Sequence, residues 1–268
     1  MRLEEIPMAC ISLDRRPERW AAFQEHAVAA GLNVKRHSAV DAKTFVAHEH
    51  PAISLETAHN ILFKTRRGHY EIDAAGAIGC SLSHVATWKE FQQSRAPALI
   101  VFEDDAVVPV DMKQRLEQMI AELPEEWDLI QFQRTKFATG YDCKPIHAGS
   151  KWERCTSLMG SFAYMVNQRG VEKLLSRFFP IEMHIDAYMA YMSRMNHIRM
   201  LWHPLLDIPF PFGDSDINHG YNGIVQIPTN MKKHGIVAMK LESVLGIAFM
   251  AAVVGGIVTL AYAARPRR

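Results

Sequence analysis

The sequence lacks a large excess of either charge, since its 30 Lys and Arg are balanced by 29 Asp and Glu and the net charge is +1. This balance gives no whole-chain attraction for phosphates, so we expect no nucleic-acid partner. Cysteine is also scarce. The four residues Cys10, Cys80, Cys143 and Cys155 lack the close pairs typical of zinc sites and redox dithiols. Their spacing therefore favours a reducing compartment.

A secretory signal is missing as well, because Glu4 and Glu5 precede only a short apolar run. The sequence contains no internal repeat and no low-complexity tract. With 49% hydrophobic residues, however, it can bury a sizeable core. These features predict a globular domain that stays in the cytosol.

A long uncharged segment stands near the other end, from Ser243 to Ala264. A helix of this length rises about 33 Å, enough to cross a hydrocarbon core of about 30 Å. A buried core helix is the alternative, but the uniform apolarity and the arginines that follow favour a membrane span. We therefore expect a catalytic domain over 1–225 that faces the cytosol, a linker over 226–242, a transmembrane anchor over 243–264 and a basic tail over 265–268.

The first part of the chain alternates strand and helix patterns. Ile6 to Leu13 and Val34 to Val40 are strand-like, and a helical pattern opens at Pro17 between them. Further helices are predicted after Gly76, around 111–123, after Asn167 and around 185–194, and further strands at 98–102, 127–132, 157–166 and 198–202. This alternation predicts an α/β, Rossmann-type domain with a mostly parallel sheet and flanking helices.

Three consecutive acids, Glu103, Asp104 and Asp105, follow the strongly apolar strand at 98–102. Ligands of α/β sheets gather beyond the carboxyl ends of strands. Because side chains alternate along a strand, we expect Glu103 and Asp105 on one side and Asp104 on the other. Carboxylate oxygens suit Mg²⁺ or Mn²⁺, which commonly also bind substrate phosphates. The alternative is a solvated turn that caps the helix near Asp111.

Five ordered segments together resemble glycosyltransferase family 25, which includes bacterial lipooligosaccharide galactosyltransferases and collagen galactosyltransferases. The segments are ISLDRRPERW, GAIGCSLSHVATWKEF, LIVFEDDAVV, GSFAYMVNQRGVEKLL and HIDAYM, and Asp214 to Ile217 is similar to a further short family motif. The resemblance implies a GT-A-like fold, a nucleotide-sugar donor that is usually UDP-galactose, and inversion at the anomeric carbon.

The same resemblance implies roles for the acidic residues. Asp105 would bind the divalent cation, Mn²⁺ or Mg²⁺, directly. Glu103 would be a second residue of the metal site and, together with Asp104, would face the nucleotide. Asp186 matches an acid motif of the family and is our candidate for the base that takes the proton of the acceptor hydroxyl. A plain carboxylate at a helix N-terminus is the alternative for Asp186.

Donor-binding candidates lie in two other segments. One segment is the junction between the first strand and the following helix, where the free N–H groups of the helix suit phosphate or ribose oxygens. Its candidates are Ser12, Asp14, Arg16 and Arg19. Placement of these residues in water is the alternative. Ser83 and His84 match the Gly-Cys-x-x-Ser-His stretch of the family, although a single helical His is more often structural.

The sequence therefore predicts a metal-dependent hexosyltransferase. It would move a hexose, with galactose expected, from a UDP-sugar to a saccharide, a lipid-linked glycan or a protein, and its anchor would bind the membrane. A degenerate, membrane-tethered binding or scaffold protein of the same fold is the alternative. A metal-dependent phosphohydrolase is a third, weaker hypothesis.

Overall fold

The computed structural model describes residues 1–68, 70–134 and 143–209. The described strands are β1 Met8–Ser12, β2 Lys35–Ser38, β3 Ala98–Glu103, β4 Leu129–Gln131, β5 Cys143–Pro145, β6 Glu153–Cys155, β7 Ala163–Asn167 and β8 Met200–Trp202. The α-helices are α1 Pro17–Ala29, α2 Leu55–Phe63, α3 Ala75–Gln92, α4 Met112–Ala121, α5 Gln168–Leu175 and α6 Ile185–Arg194. The predicted α/β class is confirmed.

All eight strands form one sheet in the order β2-β1-β3-β7-β4-β8-β6-β5. The pairs β1–β2, β1–β3 and β4–β8 are parallel, whereas β3–β7, β4–β7, β5–β6 and β6–β8 are antiparallel. The prediction of a mostly parallel sheet is therefore wrong. A parallel connection needs a crossover, whereas the described chain between β4 and β7 forms the β5–β6 hairpin, and β7 enters the sheet from the opposite end.

Apolar side chains cover both faces of the sheet. On β3, Leu99 and Val101 join a core with α3, α5 and α6, while Ile100 and Phe102 join a second core with α1 and α4. A strand that is buried on both faces requires a continuous apolar run, as the sequence of β3 has. The end of β3 is thus held rigidly between two layers of helices.

A disulfide joins Cys143 of β5 to Cys155 of β6. The two residues are 12 apart in the sequence but face each other in the hairpin. Cys10 and Cys80 are free thiols. The reducing compartment was expected because the sequence shows no close cysteine pair, but the antiparallel register brings two distant cysteines together.

The expected membrane localisation is corrected by the structure. No helix within the described ranges is long and apolar enough to cross a bilayer. The longest of them, α3, has 18 residues and includes His84, Lys89 and Glu90, whereas a span needs about 20 mainly apolar residues. The predicted anchor 243–264, its flanks 226–242 and 265–268, and Asp214 to Ile217 lie outside the described residues. The structure thus gives the anchor no support, and our functional proposal omits it.

Candidate active site

A cleft of about 290 Å³ opens beyond the carboxyl ends of β1, β2 and β3. These three strands are mutually parallel neighbours, so their ends meet at one edge of the sheet. This is the position where α/β sheets bind ligands. The described lining consists of Ile11, Leu13, Arg15, Arg19, residues 39–43, Lys64, residues 74–76, Cys80, Ser83 and residues 103–105.

The acidic triplet forms one wall of this cleft. Strand β3 ends at Glu103, and Asp104 and Asp105 lie in the turn that follows. Arg19 reaches both from α1, with its Nη2 2.7 Å from Asp104 Oδ1 and 3.2 Å from Asp105 Oδ2. The expectation that Asp104 points away from Asp105 is wrong, because strand alternation does not continue into a turn.

Asp105 lies in an environment that disfavours its negative charge. Burial and the nearby charge of Glu103 raise its pKa to about 7, although Arg19 opposes them. Its Oδ1 atom is buried and has no hydrogen-bond partner among the described residues. A hard divalent cation, which takes oxygen ligands, would relieve both conditions. The carboxylate of Asp105 therefore fits such an ion.

Glu103 is held in its charged form. Its Oε1 accepts a hydrogen bond of 2.5 Å from Ser161 Oγ and lies 3.4 Å from His84 Nε2. Burial acts to raise the pKa of Glu103, but the contacts with His84 and Ser161 and the charge of Arg19 outweigh it and lower the pKa. The pKa values of the two neighbouring acids are thus moved in opposite directions, an arrangement often found at functional sites.

His84 lies beneath the cleft and is fully buried. Its Nδ1 is 2.8 Å from Tyr164 Oη, and the same hydroxyl accepts a 2.8 Å hydrogen bond from Trp88 Nε1. Glu103 lines the cleft, whereas His84 is not among the described lining residues. The ligand atoms of Cys80, His84 and Glu103 all lie within 4.8 Å of one another.

Ser83 lines the cleft, but its hydroxyl is used inside the protein. Its Oγ accepts a hydrogen bond of 2.8 Å from Val40 N and donates one of 2.7 Å to Gly79 O. A Cβ at Gly79 would lie only 2.5 Å from Val40 O. The glycine and the serine of this motif therefore let α3 approach the chain after β2, which closes one side of the cleft.

Of the four donor-binding candidates at the end of β1 and the start of α1, the structure places one in the cleft. Arg19 lines the cleft, whereas Ser12, Asp14 and Arg16 are not among the described lining residues. Ser12 is buried, and Arg16 pairs with Glu18 at 2.5 Å. Asp14 accepts a 3.0 Å hydrogen bond from Ser38 and lies 2.7 Å from Arg36, and these contacts lower its pKa.

Asp186 lies in the first turn of α6 and is not among the described lining residues. Its Oδ2 accepts a hydrogen bond of 3.0 Å from Gly160 N, and its Oδ1 accepts one of 2.7 Å from Ala187 N. Gly160 has φ +103, and a Cβ there would lie 1.7 Å from Gln133 Nε2, so this position requires glycine. The segment Gly160-Ser161 thus contacts Asp186 with one residue and Glu103 with the next.

Three basic side chains of the cleft were missed from the sequence: Arg15, Lys43 and Lys64. Arg15 Nε lies 2.9 Å from Asp41 Oδ2. Lys64, which ends α2 with φ 55, donates from Nζ to Asp73 O at 3.2 Å. Together with Arg19, they make four basic side chains that line the cleft. Their positions in loops and at helix ends gave no periodic signal.

The sequence matches the model of glycosyltransferase family 25 (LPS biosynthesis protein) over residues 6–189. This match spans more than half of the chain, so the chain belongs to this family of glycosyltransferases. The family resemblance of the five segments is thereby confirmed.

Several relatives carry more specific names. Procollagen galactosyltransferase 1-A of Xenopus laevis is 26% identical over 53% of this chain and 23% of its own length. A glycosyltransferase 25 family member of Aedes aegypti is 27% identical over 72% of this chain and 31% of its own. Inactive glycosyltransferase 25 family member 3 of Mus musculus is 25% identical over 77% of this chain and 37% of its own.

This chain therefore spans about a quarter to somewhat over a third of those relatives. The crystal structure of A197 from STIV covers 82% of this chain and 100% of its own, with a TM-score of 0.37 and 11% identity. That likeness is too low to carry any argument.

Proposed function

We propose that the chain transfers a hexose, with galactose as the first candidate, from a UDP-sugar to an acceptor hydroxyl with inversion. One observation carries this proposal: two acids with opposed pKa shifts and four basic side chains line a single cleft. This mixture suits a diphosphate together with a cation better than it suits a neutral ligand. Family membership supplies the reaction class.

In this proposal Glu103 and Asp105 hold Mn²⁺ or Mg²⁺. When bound there, such an ion would supply positive charge for the departing diphosphate. Arg19 already pairs with Asp104 and Asp105 at 2.7 and 3.2 Å. We propose that Arg15, Lys43 and Lys64 face the phosphate oxygens, because they line the same cleft.

Asp186 remains our candidate for the base. Inversion in one displacement requires a group that takes the proton of the attacking hydroxyl. The two backbone amides on Asp186 orient its carboxylate, and Gly160-Ser161 links it to Glu103. A substrate must bring its acceptor hydroxyl to Asp186, which is not among the described lining residues of the cleft.

The acceptor class is proposed from the relatives. The name of the Xenopus laevis relative points to a procollagen, a protein acceptor, while the description of the family points to lipopolysaccharide synthesis. We propose a saccharide, a lipid-linked glycan or a protein hydroxyl as the acceptor, to be separated by assay.

A second candidate is a binding or scaffold protein without turnover, favoured by the mouse relative that is named inactive. The intact acid pair of the cleft argues against it. A nucleotide phosphohydrolase is the third candidate.

The test is incubation of the full chain with Mn²⁺ and a panel of UDP-sugars, followed by measurement of UDP, with and without acceptors. We expect metal-dependent UDP release that Asp105→Asn lowers by about 100-fold or more. Asp111→Asn is the matched control, because Asp111 is an exposed acid beyond β3 that pairs with Arg115 at 2.8 Å. Release of UMP would favour the hydrolase, and binding of UDP without turnover would favour the scaffold.

A further inference from the structure

Three fully buried side chains connect the protein interior to Glu103. Trp88 and His84 lie one turn apart on α3, and Tyr164 lies on β7. Trp88 Nε1 is 2.8 Å from Tyr164 Oη, Tyr164 Oη is 2.8 Å from His84 Nδ1, and His84 Nε2 is 3.4 Å from Glu103 Oε1. The four groups form a continuous chain of polar contacts from an apolar core to the wall of the cleft.

The chemistry of the side chains determines which atom donates and which accepts at each of these contacts. An indole N–H only donates, so the Tyr164 hydroxyl accepts from Trp88 and has one hydrogen left to donate. Within the described ranges the other partner of this hydroxyl is His84 Nδ1. Nδ1 is then an acceptor, and the hydrogen of the neutral ring lies on Nε2, which faces Glu103.

We propose that His84 is a positioning residue for Glu103, held by Trp88 and Tyr164 in the tautomer that carries its hydrogen on Nε2. His84 and Ser161 both contact Oε1 of the Glu103 carboxylate, and neither of them contacts Oε2 in these hydrogen bonds. The carboxylate is thereby fixed in one orientation, with Oε2 left for a ligand of the cleft. This inference rests on the proposed function in one respect only, namely that Glu103 lies on the side of the cleft that binds the UDP-sugar.

The direction of these hydrogen bonds also decides whether His84 binds a metal ion or donates to Glu103. Cys80, His84 and Glu103 are close enough together to be considered as metal ligands. A metal-bound imidazole nitrogen must present a lone pair, not a hydrogen. With Nδ1 accepting from Tyr164, Nε2 has no lone pair to offer, so His84 acts as a donor to Glu103 and not as a ligand.

The tautomer is measured directly on the full chain labelled with ¹⁵N-histidine, without substrate, by two-bond ¹H–¹⁵N correlation. The His84 signals are assigned as those that vanish in His84→Gln. We expect the hydrogen on Nε2 in the wild type and a mixture of tautomers in Tyr164→Phe. A hydrogen on Nδ1 in the wild type would overturn the proposal, whatever the enzyme activity.

Kinetics then test the positioning role. We expect Tyr164→Phe to raise the KM for the UDP-sugar by about 10-fold, the range found when groups behind a ligand are removed. Tyr188→Phe is the matched control, because its buried hydroxyl donates to Leu174 O at 2.7 Å and has no contact with Glu103 among the described hydrogen bonds. Its KM should change less than about twofold.

Conservative rescue separates positioning from packing. His84→Gln keeps an N–H near the place of Nε2, so we expect it to retain a lower KM than His84→Ala. Equal KM values in both variants, or an unchanged KM in Tyr164→Phe, would overturn the positioning role. If Glu103→Gln alone leaves turnover unchanged, the proposed role of Glu103 fails, while the ¹⁵N spectrum still decides the tautomer.

Discussion

Two acidic residues of this chain have opposite surroundings. Asp128, just before β4, is almost fully buried and contacts Arg169 Nε, Lys173 Nζ and the amide of Arg199, each at 2.7 Å. Asp105, after β3, has a buried Oδ1 without a described hydrogen-bond partner. Buried polar groups in proteins are normally satisfied, so the one carboxylate oxygen without a partner makes Asp105 a candidate for ligand binding.

The pKa values show the same difference. Burial acts to raise the pKa of Asp128, but Lys173, the Arg199 amide and Arg169 outweigh it and lower the pKa. Burial and Glu103 raise the pKa of Asp105 to about 7. Asp128 therefore stabilises the fold, whereas Arg19 compensates the charge of Asp105 only in part.

The largest expected effect is on stability at Asp128. Asp128→Asn removes a carboxylate that serves two cations and an amide, so we expect the free energy of unfolding to fall by about 3 kcal/mol. Urea unfolding measures this change. Glu126→Gln is the matched control, because Glu126 is exposed and pairs with Arg199 at 2.9 Å; it should change stability by less than about 0.5 kcal/mol. Equal effects of both variants would remove the special role of Asp128.

Mn²⁺ should stabilise the chain through the other site. A cation present at 100 times its dissociation constant would add about 2.7 kcal/mol to the free energy of unfolding. We expect a higher melting temperature with Mn²⁺ in the wild type and in Asp128→Asn, and no increase in Asp105→Asn. An equal increase in Asp105→Asn would place the cation elsewhere.

Acid should remove the contribution of Asp128. Because the folded pKa of Asp128 is lowered, its stabilisation is fully present above the unfolded pKa, about 3.9. It is lost as the pH falls through the folded value. Unfolding measured from pH 7 to pH 3 should therefore show a smaller loss of stability in Asp128→Asn than in the wild type. Parallel curves would contradict this expectation.

The smallest effect is expected for the stability of Asp105→Asn. This change removes a partly buried charge that Arg19 does not fully compensate, so the free energy of unfolding at pH 7 should stay within about 1 kcal/mol of the wild type or rise. Urea unfolding of the metal-free chain measures it. A loss as large as that of Asp128→Asn would show that both acids serve the fold.

Local patterns predicted much of the architecture. The apolar run of β3 predicted a buried strand that ends at the acids, and the spacing of α3 predicted its helix. The antiparallel insertion of β7 was not predictable, because strand direction depends on the connection and not on the strand itself. The Cys143–Cys155 disulfide likewise depends on the register of a hairpin.

The site was predicted less completely. The motifs located Glu103, Asp105 and Arg19, but strand alternation misplaced Asp104, because it lies in a turn. Ser161 was missed although its motif was recognised, since its contact with Glu103 spans 58 residues. The available sequence signal was the preceding residue, Gly160, whose φ of +103 favours glycine.

The most direct test of the central claim is calorimetric titration of the full chain with UDP, with and without Mn²⁺. If the acids after β3 bind a cation together with the donor diphosphate, Mn²⁺ should tighten UDP binding by about 10-fold or more, as coupled sites do. Asp105→Asn should abolish this tightening, and Asp111→Asn should keep it. Equal UDP affinity with and without Mn²⁺ in the wild type would contradict the account.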